Sequence, residues 1–125
     1  MSSRQPGDAR AEALRKRTKG FALDVLRFCR TLPNAEDARV IKRQLLRSAT
    51  SVAANYRAAG RARSRKEFVA KLGVVLEEAD ETEFWIELLI DAGLADAERT
   101  RDLLREASEL VAIFAASRRT ATSKR

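Results

Sequence analysis

Apolar residues recur at helical spacing in four successive stretches of this chain, separated from one another by residues that break or cap a helix. In the first, Leu14, Phe21, Val25, Phe28 and Leu32 mark one face, widened by Ala22, Leu26 and Cys29. That helix is expected to open at Asp8, a plausible N-cap, and to end near Thr31, because Pro33 disfavours α geometry at the residue before it. The second runs from about Ala35, capped by Asn34, to Ala59, and buries Ile41, Leu45, Ala49, Val52 and Tyr56. Beside this apolar row lies a polar one, Gln44, Ser48, Ser51 and Asn55, so the helix should have two neighbours. Gly60 is placed to leave it with positive φ, and Ser64 followed three residues later by Glu67 reads as a capping box for the third helix.

The third helix presents Phe68, Leu72, Val75, Leu76, Ala79, Ile86, Leu89 and Ile90, and stops where Gly93 offers a C′ residue backed by Leu94. The fourth starts after Asp96 and buries Leu103, Leu104, Ala107, Leu110, Val111 and Phe114. Short connections between amphipathic helices make sequence neighbours antiparallel neighbours. The expected fold is all-α, an up-down-up-down antiparallel four-helix bundle over residues 9–117, with a flexible tail at 1–8 and a flexible basic tail at 118–125. Two prolines and five glycines in 125 residues agree with it, since a sheet protein would need more turn residues. Neither a signal peptide nor an apolar run of about 20 residues is present, so a soluble cytoplasmic protein without a membrane partner is expected.

Charge changes the picture. The net charge is +7, and it divides unevenly: residues 1–66 hold 17 Lys and Arg against 5 Asp and Glu, residues 67–125 hold 8 against 13. A basic half invites a polyanion, and it would serve equally to pair with the acidic half of another copy. The candidate nucleic-acid surface is Arg57, Arg61, Arg63, Arg65 and Lys66 around the turn after the second helix. A second set, Arg15, Lys16, Arg17 and Lys19 with Arg39, Lys42, Arg43 and Arg47, is a candidate extension of it, although helical geometry scatters these over more than one face. Without a row of exposed aromatics there is no stacking platform, so any contact should read the phosphate backbone.

Catalytic chemistry finds little support. The acidic run Glu77, Glu78, Asp80, Glu81, Glu83 and Glu87 suggests a carboxylate metal site, but the Glu-x-x-His pairs of such sites need histidine and the chain has none. Pairing with arginines of an adjacent helix or subunit is the expected role. Ser48, Ser51 and Asn55 lack a histidine or lysine base, and with Gln44 they are read as helix or subunit interface residues, alongside Tyr56 and Trp85. Cys29 reads as a small buried hydrophobe. No enzyme activity, cofactor or small-molecule substrate is expected.

The series Gln44-Leu45-x-Arg47-x-Ala49-x-Ser51-Val52, then Asn55, then Arg63-Ser64-x-Lys66-Glu67-Phe68 resembles the bacterial four-helix bundle proteins encoded by intervening sequences in 23S rRNA genes. The resemblance continues through Leu72, Leu76, Glu77, Glu78, Glu83 and Leu88-Leu89 to Gly93-Leu94, and covers about residues 14–117. Ala53 stands where many members have Pro, and Ala58-Ala59 where they have Glu-Gly, which puts the local turn geometry in question. The resemblance implies a homopentamer and, in relatives that accompany diversity-generating retroelements, a basic surface that engages reverse transcriptase and RNA. The expected function is a non-enzymatic, homo-oligomeric scaffold whose basic surface binds RNA, DNA or a nucleic-acid enzyme; the alternative is a structural oligomer with no nucleic-acid role.

Overall fold

The computed structural model describes residues 6–124. Four helices, α1 (Pro6–Cys29), α2 (Glu36–Ala59), α3 (Arg65–Asp91) and α4 (Ala97–Ser123), form an antiparallel up-down-up-down bundle. Contact is most extensive between α2 and α3 and between α3 and α4; α1 lies mainly on α2 and touches α4 only narrowly. Residues 1–5 of the expected N-terminal tail lie outside the described residues, and among those described no helix is long and apolar enough to cross a membrane.

The core is what the periodicity dictates. Phe21 and Val25 of α1, Leu45, Ala49 and Val52 of α2, Leu72, Val75, Ile86 and Leu89 of α3, and Leu110 and Phe114 of α4 are buried together. Tyr56 joins them, its ring tilted against Phe114 at 5.2 Å between centroids. Three threonines are buried as well, which apolar periodicity does not anticipate. Thr18, Thr82 and Thr100 each donate a hydroxyl hydrogen bond to the carbonyl one turn back, at Leu14, Glu78 and Asp96. This internal bond removes the penalty of burying the hydroxyl.

Several helix ends differ from expectation. Helix α1 begins at Pro6, so Asp8 sits inside the first turn, where its carboxylate meets the positive end of the helix dipole. Its other end is Cys29, after which Thr31 and Leu32 bond back to Phe28 and Cys29 in a tightened final turn. At the start of α2, Ala35 (φ −117°, ψ 153°) occupies the cap position without a side-chain bond. Asn34 is one residue too early, and its Oδ1 accepts from Arg39 instead. Gly60 has φ −64°, because the chain leaves α2 through right-handed turns in which Arg61 and Ala62 donate to Ala58 and Ala59. The α2 backbone passes through Ala53 and Ala58 unbroken. Helix α4 continues to Ser123, so residues 118–123, expected as tail, are helical.

Other caps follow the residues. Ser64 Oγ accepts from the Glu67 backbone N–H at 3.1 Å and Asp96 from that of Arg99 at 3.3 Å. After α3, Gly93 takes φ 73°, its N–H bonds to Ile90, and the Leu94 N–H reaches back to Leu89. That pair of bonds is a Schellman motif, and it explains why a glycine stands there. Gly93→Ala should cost about 1–2 kcal/mol from the left-handed backbone alone, since no atom approaches an added Cβ. Gly20→Ala, in open space within α1, should stabilise by about 1 kcal/mol. Urea unfolding midpoints of the two variants, moving in opposite directions, would check this.

Candidate nucleic-acid interface

The antiparallel path returns the start of α1 and the end of α4 to the end of the bundle where α2 turns into α3. The segments that meet there, residues 6–19, 54–74 and 117–124, hold fourteen Lys and Arg against three Asp and Glu. The remaining described residues hold nine against fifteen. Charge uneven along the chain thus becomes charge uneven along the bundle axis.

Within this end two open depressions are contiguous. One, of about 660 Å³, runs between α1 and α2; Arg15, Lys16, Lys19, Arg57 and Arg61 line it over a floor of Thr50, Ala53, Ala54 and Gly60. Small floor residues leave the space between the cationic side chains open. The other, of about 650 Å³, shares Gly60 and lies over the bundle end, where Arg10, Arg65 and Lys124 surround Ser64 and Phe68. Arg63 on the turn and Lys66 in the first turn of α3 are exposed outside both. Arg118 of α4 lies across Gly73 of α3, its guanidinium within 3.3 Å of where a Cβ would be, so α3 is bare there to admit it.

The second basic set divides. Arg15, Lys16 and Lys19 join the turn cations, whereas two of the arginines are spent on holding helices together. Arg17 donates to both carboxylate oxygens of Glu106 at 2.6 and 2.7 Å and to Glu109 at 2.8 Å, clasping α1 to α4. Arg47 reaches across to α3, pairing with Glu78 at 3.1 Å and with Glu81. These pairs raise the pKa of both guanidinium groups, Arg17 chiefly through Glu106 and Arg47 chiefly through Glu78. Arg39, Lys42 and Arg43 sit on the opposite half of α2; Arg39 and Arg57 are separated by about 27 Å of helix rise.

The polar row of α2 lines its seam with α3. The Thr82 hydroxyl, which has the Glu78 carbonyl as its nearer acceptor at 2.7 Å, also lies 2.9 Å from the buried Ser48 Oγ, and Ser51 donates to Glu78 at 3.3 Å. Asn55 donates to Ser51, and Gln44 accepts from Arg47 at 3.3 Å. Burial pushes the Cys29 thiol up to about 11, which leaves little thiolate at neutral pH. Among the described residues, no group of three or more Cys, Asp or Glu is placed to hold a metal ion.

Residues 12–116 match the family model of the 23S rRNA-intervening sequence proteins. The chain belongs to this family. A crystal structure of a protein of unknown function from the S23 ribosomal protein family of Bacteroides thetaiotaomicron VPI-5482 superposes with a TM-score of 0.80. It is 31% identical, over 87% of this chain and 97% of that one. No curated protein matches the chain.

The part matched to the 23S rRNA-intervening sequence family contains the α1–α2 groove and the arginine turn, but not Arg10, Arg118, Arg119 or Lys124. Those four cations were not among the candidates read from the sequence. Three of them fell in a supposed tail, and continued helical spacing through Ala121, which is buried, was the available signal.

Trp85 is half-buried. Its Nε1 donates to Glu81 Oε2 at 3.0 Å, and Phe84 meets its ring edge-on at 5.0 Å. The Trp85 hydrogen bond, followed by Arg47, holds the Glu81 carboxyl below its ordinary value of 4.5, against the opposing effect of burial. A depressed folded-state pKa contributes stability above the unfolded value and loses it as pH falls through the folded value. Glu81→Gln should therefore destabilise most above about pH 4.5 and not at all below both pKa values. Unfolding midpoints across an acid series, followed by the fluorescence of the single tryptophan, would check the sign.

Proposed function

We propose that this chain is a non-enzymatic helical scaffold that holds the sugar-phosphate backbone of RNA or DNA at its turn end, with several copies acting together. One observation carries this reading: three separate segments bring fourteen cations, thirteen of them besides the Arg17 clasp, and only three carboxylates to one end of the bundle. A phosphate backbone requires several Lys or Arg within reach of consecutive charges, and releasing its counterions supplies the affinity. The α1–α2 groove offers five on one concave surface.

Base readout is not part of the proposal. Phe84, the most exposed aromatic ring among the described residues, lies on α3 among carboxylates and far from the turn, and at the cationic end the half-buried Phe68 stands alone, so there is no row of rings on which successive bases could stack. The two serine hydroxyls of the α2 polar row are engaged: Ser48 and Ser51 donate to Leu45 and Glu78. Cys29 is buried, and desolvation keeps its thiol protonated at neutral pH, so it is not an activated nucleophile. Multiple copies would convert a weak backbone contact into a strong one through effective concentration.

Fluorescence anisotropy with labelled RNA and duplex DNA across a salt series tests the proposal. Affinity should fall steeply with salt, and Arg61→Glu, Arg63→Glu and Arg65→Glu together should abolish it at low salt. Neutralising the same three positions should lower the duplex salt slope by roughly 2 to 3, as expected for three lost phosphate contacts. Arg39→Glu with Arg43→Glu should have a much smaller effect. Wild-type protein indifferent to both nucleic acids at low salt would overturn the reading.

A further inference from the structure

The depression over the bundle end differs in chemistry from the groove it adjoins. The α1–α2 groove is lined by cations and small residues and contains no ring. In the end depression Arg10, Arg65 and Lys124 stand around the half-buried Phe68, and Ser117 and Thr120 add two hydroxyls. No carboxylate is among the residues that line it. The three cations come from the start of α1, the start of α3 and the end of α4; all are exposed, and none makes an ion pair among the described residues. Arg10 and Lys124 lie outside the residues matched to the family, so membership does not account for them.

Its position is that of a terminus. The groove and the depression meet at Gly60. Helices α2 and α4 share no contact, so α4 stands diagonal to α2, and its last turns form the side of the depression remote from Gly60. A strand held by its backbone in the groove and led past Gly60 would meet α4 across its path. Three cations without a carboxylate also suit more charge than an internal phosphate brings. Each phosphate within a strand carries a single charge, whereas a phosphate monoester carries about −1.5 to −2 at pH 7 and presents three acceptor oxygens. A single ring suits a single base, since stacking on an aromatic side chain needs no particular base identity. At about 650 Å³ the depression is of the size that small-molecule sites have.

We infer that the end depression receives the phosphorylated terminus of a nucleic-acid strand. Arg10, Arg65 and Lys124 hold the terminal phosphate monoester, Phe68 takes the terminal base, and the α1–α2 groove holds the backbone behind it. Guanidinium forks pair with two phosphate oxygens at once, which favours a terminal phosphate with three free oxygens over an internal one with two. This rests on the proposed function and names the part of the strand that the end of the bundle takes.

Single-stranded RNAs of one sequence test this, carrying a 5′-phosphate, a 3′-phosphate, or hydroxyls at both ends. Each competes against the same internally labelled RNA in fluorescence anisotropy. The RNA phosphorylated at the accepted end should bind about tenfold tighter than the hydroxyl-ended one, the scale of hydrogen bonds to a charged group. Arg10→Gln with Lys124→Gln, both at exposed positions, should abolish that preference. Lys16→Gln with Lys19→Gln, which removes as many charges from the groove, should weaken all the RNAs together and keep the preference. Phe68→Leu keeps an apolar side chain against the core, and once circular dichroism confirms its fold it should weaken binding of the phosphorylated RNA. Equal affinity for the three RNAs would overturn the inference and leave the proposed function standing; failure of all three to bind at low salt would overturn both. A preference lost equally in the two double variants would assign it to bulk charge and overturn the inference. Adenosine 5′-monophosphate binding as tightly as the phosphorylated RNA would overturn the strand terminus in favour of a free nucleotide.

Discussion

The seam between α2 and α3 is the contact on which the rest of the bundle depends. Ala49 and Val52 bury their side chains with Val75 and Ala79, while Ser48 and Thr82 meet through a hydrogen bond away from water. Each hydroxyl also has a carbonyl of its own helix as partner, Leu45 for Ser48 and Glu78 for Thr82, so two small polar side chains can be buried here and the helices can approach closely at this level. Arg47 joins the two helices at the rim by spanning Glu78 and Glu81. With this pair of helices in place, the connection from Gly60 to Ser64 projects from one end of the bundle, and the antiparallel path brings the first turns of α1 and the last turns of α4 beside it.

That geometry decides which cations are available. Arg17 and Arg47 face carboxylates across a seam and are consumed in joining helices. Arg57, Arg61, Arg63, Arg65 and Lys66 have one carboxylate nearby in sequence, Glu67, and no ion pair among the described residues. Concentrating like charge at one end opposes folding through self-repulsion, screened within about 8 Å at physiological ionic strength. The apolar core supports it, and a polyanion would relieve it.

Helix α1 is the least enclosed element. It lies on α2, and its side toward α4 is closed by the Arg17 clasp more than by apolar packing. A four-helix bundle loosely closed on one side leaves the outer face of α1 open to solvent, Leu23 and Leu26 included.

Much of the fold was legible in the residues themselves. Apolar spacing near 3.6 with breakers at Pro33, Ser64 and Gly93 determines four helices and their inward faces, since burial of a stripe needs no knowledge of what lies opposite. The Schellman glycine and the Ser64 and Asp96 caps are likewise local. What local pattern could not decide was whatever depends on a partner from elsewhere in the chain. Gly60 adopts ordinary helical φ because the backbone leaves α2 through right-handed turns; Asn34 finds Arg39 instead of a helix end; Arg17 and Arg47 belong to seams while Lys16 and Lys19 belong to a groove. Lys124 reaches the arginine turn only because α4 is long enough to carry it there. Spacing along one chain tells which face a charge occupies, but only packing brings the carboxylate, or the open groove, that decides whether that charge holds the protein together or remains for a ligand.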